Sequence, residues 1–160
     1  MKEPFACQMC GVCCQGEGGI VVSSRDADRL SAHLGMSVQD MAARYLTAQG
    51  HKLRLVSGED GACVFYEQGR GCSVHPGRPD ICRAWPFFRG NMLDGESFLM
   101  AREDCPGIDP EADHGAFVQQ GAAYLIREEL WGYGDPEAPN ALFPGPEALR
   151  AALGHGYRRD

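Results

Sequence analysis

The stretch Cys7-Gln8-Met9-Cys10-Gly11-Val12-Cys13-Cys14 decides the fold, because it places four cysteines within eight residues near the start of the chain. Two residues separate Cys7 from Cys10 and Cys10 from Cys13, so the backbone can curl and bring three thiolates onto one metal ion or cluster. Cys14 directly follows Cys13, and because neighbouring side chains diverge, we expect this pair to bridge two sites. The stretch predicts a metal-thiolate centre.

Four further cysteines bring the total to eight. Eight thiols match two tetrahedral zinc sites or one cluster with a second ion, and one larger shared site is also open. The predicted metal ligands are Cys7, Cys10, Cys13, Cys14, Cys63, Cys72, Cys82 and Cys105. Whether His75 is also a ligand stays open, and it is left out of the set because eight thiolates suffice for two sites.

The first six residues, Met1 to Ala6, contain no apolar run of the kind that a secretory signal peptide requires. We therefore expect a cytoplasmic protein. Thiols stay reduced in that compartment, so closely spaced cysteines are interpreted as metal ligands before disulfides.

The length and the net charge of the chain exclude some classes of binding partner. With 160 residues, a formal net charge of −7 and a pI near 5.2, the chain predicts one acidic domain that binds neither nucleic acid nor an anionic membrane surface. The expected partners are metal ions and a protein or redox partner of unknown identity. No phosphate loop, nucleophile elbow, zinc-protease or dinucleotide motif occurs, so no catalytic residue is predicted and an enzymatic activity stays uncertain.

Local patterns predict short elements of both types. A strand is expected at residues 20–22, a helix capped by Ser23 or Ser24 that runs to Leu34, and a second helix from Ser37 to residue 49. Short strands are expected at 53–56, 62–66 and 72–74, with an edge strand at 97–101. A long helix capped by Asp113 is expected to reach Leu130, and a brief one lies near 147–153.

These elements predict a small, irregular α+β domain in which short helices and a minor antiparallel sheet surround a cysteine-ligated metal centre. We expect residues 1–110 to form the cysteine-cluster domain, and residues 111–160 to add a C-terminal helix and a Pro/Gly-rich tail packed on it.

The segment from residue 70 to 102 is locally basic in an otherwise acidic chain. Four thiolates around a dication leave an excess of about two negative charges, which is costly to bury unless it is paired. The arginines expected to offset that charge are Arg70, Arg78, Arg83, Arg89 and Arg102.

Several motifs together resemble the YkgJ-type cysteine-cluster proteins. They are Cys7-x2-Cys10-Gly11-x-Cys13-Cys14, Gly18-Gly19-Ile20-Val21-Val22, Gly61-Ala62-Cys63-Val64-Phe65, Gly71-Cys72-Ser73-Val74-His75, Arg78-Pro79-x2-Cys82-Arg83-x-Trp85-Pro86-Phe87 and Cys105-Pro106-Gly107. The resemblance spans roughly the first two thirds of the chain. It implies zinc or iron chelation, and some members are labelled iron-sulfur proteins.

Three functional hypotheses follow. The first is metal binding by zinc or iron, in its sharper form an iron-sulfur cluster for electron transfer or redox sensing. The second is a structural zinc protein that acts as an adaptor or metal chaperone. The third, an accessory to a protein-modifying enzyme, rests on the resemblance alone, because a related cysteine cluster accompanies flagellin lysine N-methylases. The sequence does not separate zinc from iron, because both accept four thiolates.

Overall fold

The computed structural model describes residues 2–15 and 19–130. Within them, six α-helices and five short strands form two compact units. Residues 9–83 form the first, the thiol unit, and residues 2–8 with 84–130 form the second, the aromatic unit. The predicted small α+β fold is confirmed.

The thiol unit contains a pair of helices with local start signals. Helix α1 (Ser24–Leu34) begins after Ser23, whose hydroxyl accepts a hydrogen bond from the Asp26 N–H while the Asp26 carboxylate accepts one from the Ser23 N–H. It ends at Gly35, which is left-handed with φ 68°. Helix α2 (Val38–Tyr45) begins after Ser37, whose hydroxyl accepts a hydrogen bond from the Asp40 N–H at 3.1 Å. Both starts are confirmed.

A three-stranded antiparallel sheet follows these helices. Its strands are β1 (Val21–Val22), β2 (Leu46–Gln49) and β3 (Lys52–Leu55), with β3 in the centre. The prediction that α2 continues to residue 49 is wrong, because Leu46 to Gln49 pair with β3 as a hairpin. Gly50, with φ 62°, lies at the turn of that hairpin and does not cap a helix.

The remainder of the thiol unit has little regular structure. Strands β4 (Tyr66–Glu67) and β5 (Gly71–Cys72) form a two-residue hairpin. The strand expected at 62–66 is largely a turn, because the Tyr66 N–H donates to the Cys63 carbonyl at 2.9 Å. A 3-10 turn at His75–Gly77 leads to helix α3 (Asp80–Ala84), whose last residue is counted with the aromatic unit.

The apolar core of the thiol unit is small. It consists of Val22, Ala27, Leu30, Met41, Leu55, Phe65 and Val74. These side chains come from α1, α2, the sheet and the segment that carries the later cysteines, so burial joins the helices to that segment.

Three helices build the aromatic unit: α4 (Arg89–Leu93), α5 (Gly95–Asp104) and α6 (His114–Arg127). Asp113 caps α6 as predicted, because its carboxylate accepts from the Ala116 N–H at 2.9 Å. The strand expected at 97–101 is wrong, because these residues belong to α5. Asp94 caps that helix, and the buried pair Phe98 and Ala101 has helical spacing, whereas Met100 is 67% exposed.

Aromatic rings fill the core of this unit. The Phe117 ring lies 4.9 Å from Phe87 and 4.8 Å from Phe98, measured between ring centroids, and both neighbours are also buried. The N-terminal segment joins this core, since Phe5 meets Phe87 edge-on at 5.4 Å and its N–H donates to the Gln120 side chain. The helix predicted near 147–153 lies outside the described residues.

No helix in the described part of the chain is long and apolar enough to cross a membrane.

Candidate metal centre

The first cysteines of the thiol unit lie in residues 9–15, here called the cysteine loop, which contains one 3-10 turn at Val12–Cys14. Gly11 precedes the turn with φ 77°, a conformation that other residues rarely adopt. A Cβ at Gly11 would collide with the Tyr66 ring, and a Cβ at Gly71 would collide with the Met9 carbonyl. Glycine at both positions therefore lets the cysteine loop lie directly against β5.

Hydrogen bonds fix the end of the cysteine loop. The Cys63 N–H donates to the Cys14 carbonyl at 2.8 Å, which brings two cysteines from distant parts of the sequence side by side. The Gln15 side-chain amide donates to the Tyr66 hydroxyl at 3.1 Å. The end of the cysteine loop is thus attached at Cys63 and at Tyr66 of β4.

Three thiols share protons at the centre of this arrangement. The Cys14 thiol donates to Cys13, and this hydrogen bond lowers the pKa of Cys13 to about 7. Cys14 likewise lowers the pKa of Cys72 to about 6. The two hydrogen bonds raise the pKa of Cys14 in turn, so near neutral pH Cys72 is a thiolate, Cys13 is partly ionised and Cys14 remains a thiol.

Two more thiols lie within electrostatic range of these three. Burial raises the pKa of Cys63, and the charges of Cys72 and Cys13 raise it further. Burial also raises the pKa of Cys82, with smaller contributions in the same direction from Cys63, Cys13 and Cys72. Together, Cys13, Cys14, Cys63, Cys72 and Cys82 form a group that is here called the thiol cluster.

The Arg78 guanidinium lies beside the thiol cluster. The charge of Arg78 acts to lower the pKa of Cys13, Cys72 and Cys82. Its guanidinium is held by His75, because Arg78 Nη1 donates to the His75 carbonyl at 2.6 Å and contacts His75 Nδ1 at 3.1 Å. Arg78 thus occupies the position expected of an arginine that offsets thiolate charge.

A network of carboxylates and guanidinium groups joins α1 to the segment that carries Arg78 and Cys82. The buried Asp26 carboxylate accepts from the Asp80 N–H at 2.8 Å. Arg29 donates to the Asp80 carboxylate at 2.8 Å and to the Arg78 carbonyl at 3.0 Å. This carboxylate–guanidinium network comprises Arg25, Asp26, Arg29, Asp80 and Arg83.

The network determines where two groups of the site lie. Asp80 is the first residue of α3, and Cys82 lies within that helix. Arg78 lies two residues before Asp80, and its carbonyl is held by Arg29. Hydrogen bonds hold the backbone at both Arg78 and Asp80. They therefore restrict where the Arg78 guanidinium and the Cys82 sulfur can lie.

The remaining three predicted ligands lie outside the thiol cluster as described. Cys10 is an exposed residue of the cysteine loop. Cys7 and Cys105 belong to the aromatic unit, the first exposed and the second buried. Their two segments run alongside each other, since the Ala6 N–H donates to the Gly107 carbonyl at 2.9 Å and the Gln8 side chain donates to the Pro106 carbonyl at 2.9 Å.

The chemistry of the thiol cluster fits zinc or iron. Within residues 2–15 and 19–130, no three potential ligand side chains are already arranged as a metal-binding group. Cys14 nevertheless shares protons with Cys13 and Cys72, and the charges of Cys13 and Cys72 raise the pKa values of Cys63 and Cys82. Thiolates are the ligands that structural zinc and iron-sulfur clusters use, so the thiol cluster could hold such a centre once its protonated thiols lose their protons.

A family model matches residues 6–106, a range that contains all eight cysteines. The chain belongs to the CxxCxxCC family. The family's description is "Putative zinc- or iron-chelating domain". This match confirms the resemblance drawn from the sequence motifs, and it supports metal chelation without distinguishing the two metals. No solved structure matches the chain.

Sequence reasoning did not identify the carboxylate–guanidinium network of this CxxCxxCC domain. The sequence motifs predict a helix that begins near Asp26, but neither the burial of its carboxylate nor the pairing of Arg29 with Asp80. One signal was available in Arg78-Pro79-Asp80, because a basic and an acidic residue flank a proline just before a cysteine. The sequence contains no indication that Asp80 pairs with α1.

Proposed function

We propose that the protein binds zinc or iron through its cysteines and that the thiol cluster is the principal centre. The observation that carries the proposal is the hydrogen bond from the Cys63 N–H to the Cys14 carbonyl at 2.8 Å, beside which Cys14 also shifts the pKa values of Cys13 and Cys72. It brings together sulfurs from two distant parts of the sequence. All eight cysteines remain in the proposed ligand set.

An iron-sulfur cluster that transfers electrons or senses redox state is the sharper form of this proposal. Such a cluster would supply one-electron chemistry, and its potential would depend on nearby charge and on its exposure to solvent. The Arg78 guanidinium is a fixed positive charge beside the thiols, which favours the more negative, reduced state of a centre. Cys10 and Cys13 are exposed, so a protein partner could approach them.

A structural zinc site is the second candidate, in which the domain serves as an adaptor or metal chaperone. It is favoured by the scarcity of regular structure where the cysteines lie. Cys63 is in a turn, Cys72 is in a two-residue strand, and Cys82 is in a five-residue helix. Zinc would then supply the cohesion that so few backbone hydrogen bonds cannot supply.

Anaerobic purification followed by elemental analysis separates these forms. A brown protein with iron and acid-labile sulfide in constant ratio supports the iron-sulfur form. A colourless protein with stoichiometric zinc supports the structural form. A folded protein that contains neither metal, and takes up neither Zn²⁺ nor Fe²⁺ with sulfide, contradicts the proposal.

A matched pair of variants tests the thiol cluster itself. Cys72→Ser removes the most acidic thiol of the cluster and is expected to abolish stoichiometric metal binding. Ser73→Ala changes the adjacent exposed residue and is expected to leave the metal content unchanged. Full metal content in Cys72→Ser would show that Cys72 is not a ligand and that the principal centre lies elsewhere.

A further inference from the structure

We infer that His75 is not a metal ligand but a positioning residue, which holds the Arg78 guanidinium beside the thiol cluster. This role rests on the proposed function, because it concerns the surroundings of the same metal centre. His75 follows Cys72 at the x2 spacing that metal-binding cysteine and histidine pairs often show, so the sequence by itself favours ligation as much as any other role.

The Nδ1 nitrogen of His75 faces Arg78. Arg78 Nη1 lies 3.1 Å from this nitrogen. A guanidinium group has only hydrogen-bond donors, so the contact requires Nδ1 to be the acceptor. The lone pair of Nδ1 is therefore occupied by Arg78 and does not face a metal ion.

The Nε2 nitrogen of His75 carries the proton of the ring. A neutral imidazole whose Nδ1 accepts a hydrogen bond carries its proton on Nε2, and a protonated nitrogen has no lone pair for a metal. Burial, and then the charge of Arg78, lowers the pKa of His75, which favours this neutral form. Nε2 is buried and has no hydrogen-bond partner in the described part of the chain. Both ring nitrogens are thus unavailable for coordination.

Instead of binding a metal, His75 holds the Arg78 guanidinium in place. Arg78 Nη1 donates to the His75 backbone carbonyl at 2.6 Å as well as contacting the ring, so one residue holds the guanidinium by two groups. Arg29 holds the Arg78 carbonyl from the other side. Arg78 in turn lies within electrostatic range of Cys13, Cys72 and Cys82. The histidine therefore acts on the thiols through the arginine.

Nitrogen NMR of the wild-type protein tests the tautomer directly. In protein labelled with ¹⁵N at histidine, two-bond correlations to the ring protons should identify His75 with a protonated Nε2 and an unprotonated Nδ1. The same pattern should persist after addition of one equivalent of Zn²⁺. Loss of the Nε2 proton on zinc addition, with the nitrogen shift of a coordinated imidazole, would overturn the inference.

A double-mutant cycle tests the positioning role. His75→Ala and Arg78→Gln should each weaken Zn²⁺ binding by about 10- to 100-fold, the range found when groups outside the ligand set are removed. The double variant should be no weaker than Arg78→Gln alone, because His75 acts through Arg78. If the two losses multiply, His75 acts independently of Arg78 and the inference is wrong.

Cobalt provides a readout that affinity alone does not. The sulfur-to-cobalt charge-transfer bands of the Co²⁺-loaded protein depend on the number of thiolates bound, so His75→Ala should leave them unchanged. A changed spectrum together with a loss of more than 100-fold in affinity would identify a lost ligand. His51→Ala, at an exposed residue of the β2–β3 hairpin, is the matched control and should alter neither readout.

Failure of this inference can be distinguished from failure of the proposed function. A protein that binds neither Zn²⁺ nor Co²⁺ contradicts the proposed function. The NMR measurement on the metal-free protein still decides whether Arg78 holds His75 in the Nε2-protonated form.

Discussion

Different interactions stabilise each of the two units of this chain. The aromatic unit packs Phe87, Phe98 and Phe117 into a buried core between helices. The thiol unit has a smaller aliphatic core, and the segments that carry its cysteines are joined by single hydrogen bonds and by the carboxylate–guanidinium network. Apolar burial stabilises the first in any reduced or oxidised solution, whereas the second has groups that respond to metal, proton and salt.

The difference between the two cores indicates how a chain of this size can contain a reactive site. Burial in an apolar core favours the neutral thiol over the thiolate that binds a metal, so segments that carry ligand thiols gain less stability from such a core. We therefore expect the cysteine-bearing segments to depend on their occupant for stability, and the aromatic unit to be stable without it.

Metal removal should produce the largest difference between the units. Structural zinc contributes roughly 10–16 kcal/mol in small zinc domains. After chelation of the metal-loaded protein, we expect amide hydrogen exchange to accelerate by at least about 100-fold in residues 9–15, 63–74 and 78–83, with little change in α6. Exchange measured by mass spectrometry would contradict the comparison if both units accelerated equally.

Phe117→Ala should produce the converse effect. Phe117 is fully buried between two other rings, so its truncation should lower the free energy of unfolding by about 3–5 kcal/mol. Denaturant titration measures the loss, and Phe117→Leu, which keeps most of the volume, is the control with a smaller cost. Metal content per folded molecule should be unchanged, and a parallel loss of metal would show that the units are not separable in this way.

Zinc binding should release protons in numbers set by the thiol cluster. At pH 8 Cys13 and Cys72, with pKa values of about 7 and about 6, are already ionised, whereas the raised pKa values of Cys14, Cys63 and Cys82 keep those thiols protonated. Binding through Cys13, Cys72 and two of the other three cysteines should therefore release about two protons at pH 8 and about four below pH 5.5.

The number of protons released determines how zinc affinity changes with pH. Since the ion displaces protons, zinc affinity should rise with pH, by about 100-fold per unit near pH 8. Calorimetry in two buffers with different protonation enthalpies measures the number of protons. Release of four protons at pH 8 would show that Cys13 and Cys72 are not ionised in the metal-free protein.

Asp26→Asn should have a smaller but specific effect. The buried carboxylate accepts from Arg29 and from two backbone N–H groups, so the amide should cost about 2 kcal/mol of stability and weaken metal binding through Arg78 and Cys82. Asp28→Asn changes an exposed carboxylate on the same helix and should stay within about 0.5 kcal/mol of the wild type. Equal effects in the two variants, measured by thermal melting and zinc competition, would contradict a special role for Asp26.

Features with a local physical cause could be predicted from the sequence. Ser23, Ser37 and Asp113 cap helices because a side-chain oxygen reaches an N–H three residues further on, which depends on neighbours alone. The concentration of cysteines in the first 14 residues predicts thiolate chemistry for the same reason. The small α+β fold follows from the alternation of these short elements.

Features set by distant partners could not be predicted. Leu46 to Gln49 leave the helix because β3 offers them a pairing edge, and residues 97–101 become helical because Phe98 and Ala101 are buried together. The pairing of Asp26 with Asp80 joins residues far apart in the chain. The division of the cysteines between two units likewise depends on tertiary structure, so the full ligand set remains a prediction.

The close approach between the cysteine loop and β5 limits how the motif can be transplanted. Because a methyl group at residue 71 would strike the Met9 carbonyl and one at residue 11 would strike the Tyr66 ring, the eight-residue cysteine motif is a complete module only together with a glycine-bearing hairpin. A protein engineer who grafts the motif onto a new scaffold must bring that hairpin with it.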